Sequence, residues 1–190
     1  KGGIDGRPIE MIYEDGLCSG KGGTNAAQKL VNVDKVKTIV GGFCSSESLA
    51  AEPITTKAGV VLFSPGSSSP DLTDKSEFFV RNYPSDAAQG IVLAELAVND
   101  KGWTKVAFMQ ESTDYALGLY SAFTSSFEEL GGSTLNEAFP SDASDFRTSL
   151  AKLRAESPDA LFISVQTPAT GEKVLKQVQD IGWDVPLIVA

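Results

Sequence analysis

The sequence has no histidine anywhere in its 190 residues. This removes the Ser–His and Cys–His nucleophile pairs and the commonest metal ligand. Cations are also sparse. Sixteen Lys and Arg against 25 Asp and Glu leave a net charge of −9 and a pI of about 4.5. No basic patch is evident that could neutralise a phosphate backbone, which argues against nucleic acid as a partner. Long apolar runs are missing too; none nears the roughly 20 residues that a membrane-spanning helix needs. The chain opens on KGGIDGRP, with neither an initiator methionine nor a signal-peptide pattern, a start that reads as an internal fragment or a processed chain. Cysteine is limited to Cys18 and Cys44. Such a pair fits one disulfide in an oxidising compartment, or two buried thiols.

What is present is ordinary for a globular chain: 42% hydrophobic and 22% charged residues. Short apolar runs alternate with helical patterns. Strands are expected at 7–15, 36–43, 60–64, 77–83, 104–110, 133–139, 159–165 and 185–190. Between them, helices are expected at 24–32, 45–59, 85–100, 115–130, 144–156 and 169–182, with Pro53 a kink or break in the second. Gly131 and Gly132 supply the left-handed stop after the fourth helix. Strands alternating with helices of this length form βαβ units, and hence α/β architecture with parallel sheets covered on both faces. The segment VRNYPSD interrupts the rhythm and reads as a crossing between two α/β lobes.

Ligands of open parallel sheets bind beyond the carboxyl ends of the strands. Two strand ends here are rich in glycine and serine: GGFCSSES (41–48) and SPGSSSP (64–70). In the first, a helix N-terminus offers unpaired N–H groups and partial positive charge, glycines admit a ligand to the backbone, and hydroxyls add donors. That combination suits a carboxylate or another small anion. In the second, Ser69 is a candidate cap with Pro70 at the first helical position, leaving Gly66, Ser67 and Ser68 on the loop. Plain helix capping and a flexible loop are the structural alternatives. No Gly-Lys-Ser/Thr follows, so a phosphate loop is weakly supported.

Taken in order, GGIDGRPIEMIYEDGLC, NAAQKLV, IVGGFCSSES, GVVLFSPGSSSPDLT, VRNYPSDAAQG, TDYALGL with FEELGG, DFRTSLAKLRAESPDALFISV and LKQVQDIGWDVPLI resemble the periplasmic solute-binding proteins of ABC transporters, in the branched-chain amino-acid (leucine/isoleucine/valine) binding family. The resemblance spans essentially the whole chain. It implies a type I periplasmic binding fold, with two Rossmann-like lobes that close on a ligand held between them. Residues 1–82 would form part of lobe 1 and 83–190 most of lobe 2, with a hinge crossing near 81–85. Both ends would be incomplete: a first strand would precede Lys1, and further segments would follow Ala190. The place of that strand, between 7–15 and 36–43, would be filled by another chain, closed by direct pairing of those two segments, or left by residues outside the chain.

The resemblance also implies a disulfide between Cys18 and Cys44. It places the ligand's carboxylate and ammonium at Ser45, beside Ser46 and the backbone of Phe43 and Cys44, and at Gly66 and Ser68. From the other lobe it implies Tyr115 and a residue near Gln166, where the family carries an aromatic; glutamine favours a ligand with a polar group or leaves the second lobe's contacts to other residues. The implied role is the extracytoplasmic solute-binding component of an ABC importer for an amino acid or similar small carboxylate. The alternative is a ligand-sensing receptor ectodomain of the same fold. The expected partners are the small-molecule ligand and the transporter permease, with no nucleic acid, and with membrane contact only through the permease or a lost lipid anchor. The expected location is periplasmic or extracellular, with the signal peptide removed. No cofactor or metal is expected. An enzyme would have to rely on carboxylates such as Asp114, Asp142 and Asp145, for which no nucleophile or metal motif exists, so no catalytic activity is expected.

Overall fold

The apolar runs resolve into two parallel sheets in a computed structural model that describes residues 3–190. By contacts the chain divides into two units. The first holds residues through Gly66 and Ser76–Asn82; the second holds Ser67–Lys75 and Tyr83–Ala190.

In the first unit, β1 (Thr38–Val40), β2 (Val61–Ser64) and β3 (Phe79–Arg81) pair in the order β1-β2-β3, all parallel. Helix α1 (Gly20–Gln28) runs on through a wider π turn (Lys29–Val33), and α2 spans Ser45–Ala58. The two helices approach closely because α1 is glycine-rich. A Cβ on Gly23 would lie 2.7 Å from the Glu47 backbone of α2. Pro53 does not break α2, which stops only at Gly59 in the left-handed conformation at φ 63°.

The strand expected at 7–15 does not form. Only an isolated antiparallel bridge joins Ile4 to Arg7, and residues 8–16 have no ladder partner. Ile9, Met11 and Tyr13 are consequently exposed. Their alternation meets the side-chain condition for a strand, but a strand also needs a neighbour for its N–H and C=O groups. β1 is an edge strand, and direct pairing of 7–15 with it does not occur.

In the second unit, β4 (Lys105–Glu111), β5 (Ser133–Phe139), β6 (Ala160–Ser164) and β7 (Leu187–Val189) pair in the order β5-β4-β6-β7, again all parallel. Strands buried on both faces read as continuous apolar runs, and β6 is buried at every position. One face packs Phe108 and Phe162 against α3 (Asp86–Glu95, extended by a π turn to Asp100) and α4 (Asp114–Glu129), through Ala94, Leu119, Phe123 and Phe127. The other packs Met109, Leu161 and Ile163 against α5 (Arg147–Ala155) and α6 (Pro168–Asp180), through Leu150, Leu153, Val174 and Val178.

Helix α5 begins three residues later than the periodicity predicts. The Phe146 N–H donates to Gln177 Oε1 (2.7 Å), and Asp145 accepts from both the backbone and the guanidinium of Arg147. That pairing holds the Asp145 carboxyl down at about 2, well below the usual carboxylate range, through the Arg147 hydrogen bonds first. Asp145 is thus engaged at a helix start. Among the described residues, no group of three or more potential ligands is placed to hold a metal ion, and no helix is long and apolar enough to cross a membrane.

Candidate strand-end site

In the first unit, β1 gives way to Gly41–Cys44 before α2 begins at Ser45. Gly42 turns this corner at φ 67°, a conformation that favours glycine, and a Cβ there would sit 2.3 Å from Ser48 Oγ. The Gly42 carbonyl accepts from two hydroxyls, Ser48 (2.9 Å) and Ser64 (2.6 Å). One serine from each glycine-serine stretch therefore ties the ends of β1 and β2 together. These two hydroxyls shape the loop.

Cys44 is the cap residue of α2 and is joined to Cys18 by a disulfide, with Cα atoms 5.2 Å apart. Glu47, three residues on, accepts the Cys44 N–H at Oε2 (3.1 Å) and the Cys18 N–H at Oε1 (2.9 Å). A single carboxyl group thus holds the backbone of both half-cystines. Gly16 makes room for it: a Cβ at that position would fall 2.3 Å from Glu47 Oε1. Glu47 was not among the residues singled out from sequence. Its signal was the Cys-Ser-Ser-Glu spacing, a capping box with cysteine in the place of Ser or Thr.

The predicted binding residues of this unit converge on the same corner. Ser45 opens α2 and is buried, Ser46 follows half-buried, and Phe43 stands 67% exposed. The Phe43 ring lies across Gly66, where a Cβ would meet it at 2.6 Å. Phe43, Cys44, Ser45, Ser46 and Gly66 therefore sit together at the carboxyl end of the sheet.

The remaining predicted residues belong to the second unit. Ser68 is buried, and its carbonyl accepts the Asp86 N–H of α3 (2.9 Å). Ser69 caps a short 3-10 turn, Pro70–Leu72, by accepting the Asp71 N–H, and Pro70 packs on Gly118 of α4. Thr113 caps α4 by accepting from Ala116, which sets Tyr115 one residue inside the helix, against the Phe108 face of the core. Burial pushes the Tyr115 phenol from its ordinary value of 10 up to about 12, with the charge of Asp86 and then Tyr83 adding to the rise. Gln166 follows β6 half-buried, and its N–H donates to Glu111 Oε2 (2.8 Å). With Val165, Thr167 and Leu175 it lines a groove beside α6. Asp86 and Glu111, 3% exposed each, are further residues that local sequence patterns did not single out.

The Tyr115 shift carries a pH prediction. Its folded pKa exceeds the unfolded value, so its contribution to stability is intact below pH 10 and is lost as pH rises through 12. An absorbance titration of tyrosinate should show a step near pH 12 that disappears in Tyr115→Phe. A Tyr115→Phe curve identical to that of the parent would contradict the buried setting of this phenol.

A family model described as "Periplasmic binding protein" matches residues 1–190. The chain is 30% identical over 183 residues to an amino acid binding protein of Pseudomonas aeruginosa, covering 95% of this chain and 49% of that relative. It superposes on the crystal structure of a leucine binding protein from Thermotoga maritima with a TM-score of 0.91 at 28% identity, covering 100% of this chain and 54% of the other. It superposes on a solute binding protein of an ABC transporter from Rhodopseudomonas palustris BisB5, solved with 3,4-dihydroxybenzoic acid, with a TM-score of 0.81 at 27% identity, covering 97% and 51%. The chain spans about half the length of the curated relatives it matches. With one family model matched from end to end, the chain belongs to the periplasmic binding protein family.

Proposed function

We propose that this chain is part of the extracytoplasmic solute-binding component of an ABC importer, and that its solute is an amino acid or a similar small carboxylate. The observation that carries this reading is the corner at the start of α2. There a helix N-terminus, a left-handed glycine and a disulfide-bound cap residue stand beside Ser45 and Ser46. Backbone N–H groups and the positive end of a helix favour a carboxylate. In this reading Ser45, Ser46 and the backbone of Phe43 and Cys44 grip it, with Gly66 leaving room for the Phe43 ring beside the grip. Ser68, Tyr115 and Gln166 engage the rest of the solute. Residues 1–82 and 83–190 act as the two lobes, with Ser67–Lys75 packing in the second unit, and the crossing near 81–85 is the hinge on which they close. The Gln166 amide suits a solute with a polar group.

Three lines support the reading. The family match covers the whole chain. The T. maritima neighbour is a leucine binding protein and the R. palustris neighbour was solved with a hydroxylated benzoic acid, and both of those ligands carry a carboxyl group. The absence of histidine and the scarcity of other nucleophile motifs point to a protein that carries its solute unchanged. A transporter permease is the natural partner, and the periplasm or cell exterior, where a disulfide persists, is the natural location.

A thermal-shift screen of the full-length protein against amino acids and small aromatic acids tests the reading. A solute at 100 times its dissociation constant raises the unfolding free energy by about 2.7 kcal/mol. At least one carboxylate should do so. A flat response to every carboxylate at millimolar concentration would count against the assignment.

A further inference from the structure

The pairing of β4 with β6 ends at Gln110 opposite Ser164. Past that point the main chain of β6 continues for two residues before Thr167 caps α6. Val165 is secured on the β7 side, its N–H donating to the Ala190 carbonyl (3.2 Å). Gln166 is secured on the β4 side, and there the acceptor is a side chain: Glu111 Oε2, at 2.8 Å.

Glu111 is the last residue of β4 and is 3% exposed. A carboxyl group so placed is costly unless its oxygens are bonded, so this contact is not an incidental surface pairing. The same residue also fixes the start of α4. Its carbonyl accepts the Thr113 N–H (2.8 Å), and Thr113 caps the helix that carries Tyr115. One residue thus governs two segments, with its main chain setting the α4 start and its side chain setting the turn at Gln166.

We propose that Glu111 is a positioning residue for the second unit's part of the solute site, holding the 165–167 turn at a set place relative to the α4 start. The proposal rests on the solute-binding reading only for its effect on affinity; the mechanical part stands alone. Glu111 acts through the Gln166 backbone, keeping the Gln166 and Tyr115 side chains in a fixed relation before the solute arrives. Such preorganisation improves affinity by lowering the ordering cost of binding.

The test uses the full-length protein with Glu111→Leu and Glu111→Gln. Leucine removes the acceptor, whereas glutamine retains an oxygen in the same place. Two readouts are taken: amide exchange at Gln166 by NMR, and calorimetric affinity for L-leucine and for 3,4-dihydroxybenzoate. The expected result is that Glu111→Leu speeds exchange at Gln166 and weakens binding by about tenfold each, the loss of one hydrogen bond at a buried site. Glu111→Gln should restore both. If Glu111→Leu does not fold, Glu111→Asp serves instead, because shortening the side chain by one methylene withdraws the acceptor. A Gln166 amide as protected in Glu111→Leu as in the parent overturns the proposal and leaves the solute-binding reading untouched. A freed amide with unchanged affinity, where Ser45→Ala still loses binding, also overturns the positioning role. If the parent binds neither probe, the choice of solute fails, and the amide readout alone decides whether Glu111 holds the turn.

Discussion

Phe108→Ala should lower the unfolding free energy of this chain by about 3–5 kcal/mol. Phe108 lies mid-strand in β4, with a neighbouring strand on either side, and is completely buried. Its ring stacks on Phe162 of β6 (centroids 4.4 Å apart) and meets Tyr120 (4.9 Å) and Phe123 (5.2 Å) of α4. Truncation therefore removes the contact between sheet and helix at its centre. Interiors are packed too densely to close over a void of that size without loss. Each ring also contributes the edge and offset geometry worth about 0.5–1.5 kcal/mol per pair beyond area burial. Urea denaturation followed by tryptophan fluorescence measures the change. A loss below about 1 kcal/mol would mean that α4 is not packed on β4 as described.

Replacing both cysteines by serine should cost about 3–4 kcal/mol, by the loop-closure entropy of a cross-link between residues 26 apart. Serine is the right substitute because the two Glu47 hydrogen bonds run to the backbone N–H groups and survive it. The native loop should then keep its shape while the unfolded chain gains freedom. Denaturation of the double variant beside the parent, without reductant, checks this. Equal midpoints for the two proteins would place the stabilisation elsewhere, with Glu47 as the first residue to examine. Solute binding should persist in the double variant, since the corner at Ser45 keeps its capping interactions.

Much of this structure was legible in the sequence where pattern and physics are local. A helix carrying the buried Leu150 and Leu153, the left-handed Gly131 after α4 and the Ser69–Pro70 cap each appear where short-range rules place them. The segment 7–15 shows the limit. Alternation of Ile9, Met11 and Tyr13 describes a strand's side chains, but a strand exists only with a partner, and partners are not written locally. The candidate site divides in the same way. The corner at Ser45 was readable as a strand end running into a helix, and the Cys44-to-Glu47 spacing could have disclosed the cap. Ser48 and Ser64 were visible as hydroxyls, but their joint hold on the Gly42 carbonyl depends on β1 lying beside β2. Glu111 was out of reach altogether. Its acceptor role spans 55 residues, and only the β4–β6 pairing brings the two ends together.

The most direct measurement is calorimetric titration of the full-length protein with the acid that gives the largest thermal shift, beside the same molecule as its methyl ester. Parent and Ser45→Ala proteins are compared. A grip on the carboxylate at the start of α2 predicts that the acid binds the parent, and that the ester and Ser45→Ala each bind about ten- to a hundredfold more weakly, the range for a hydrogen bond to a charged group. An ester that binds as tightly as the acid, together with Ser45→Ala at parent affinity, would contradict the account.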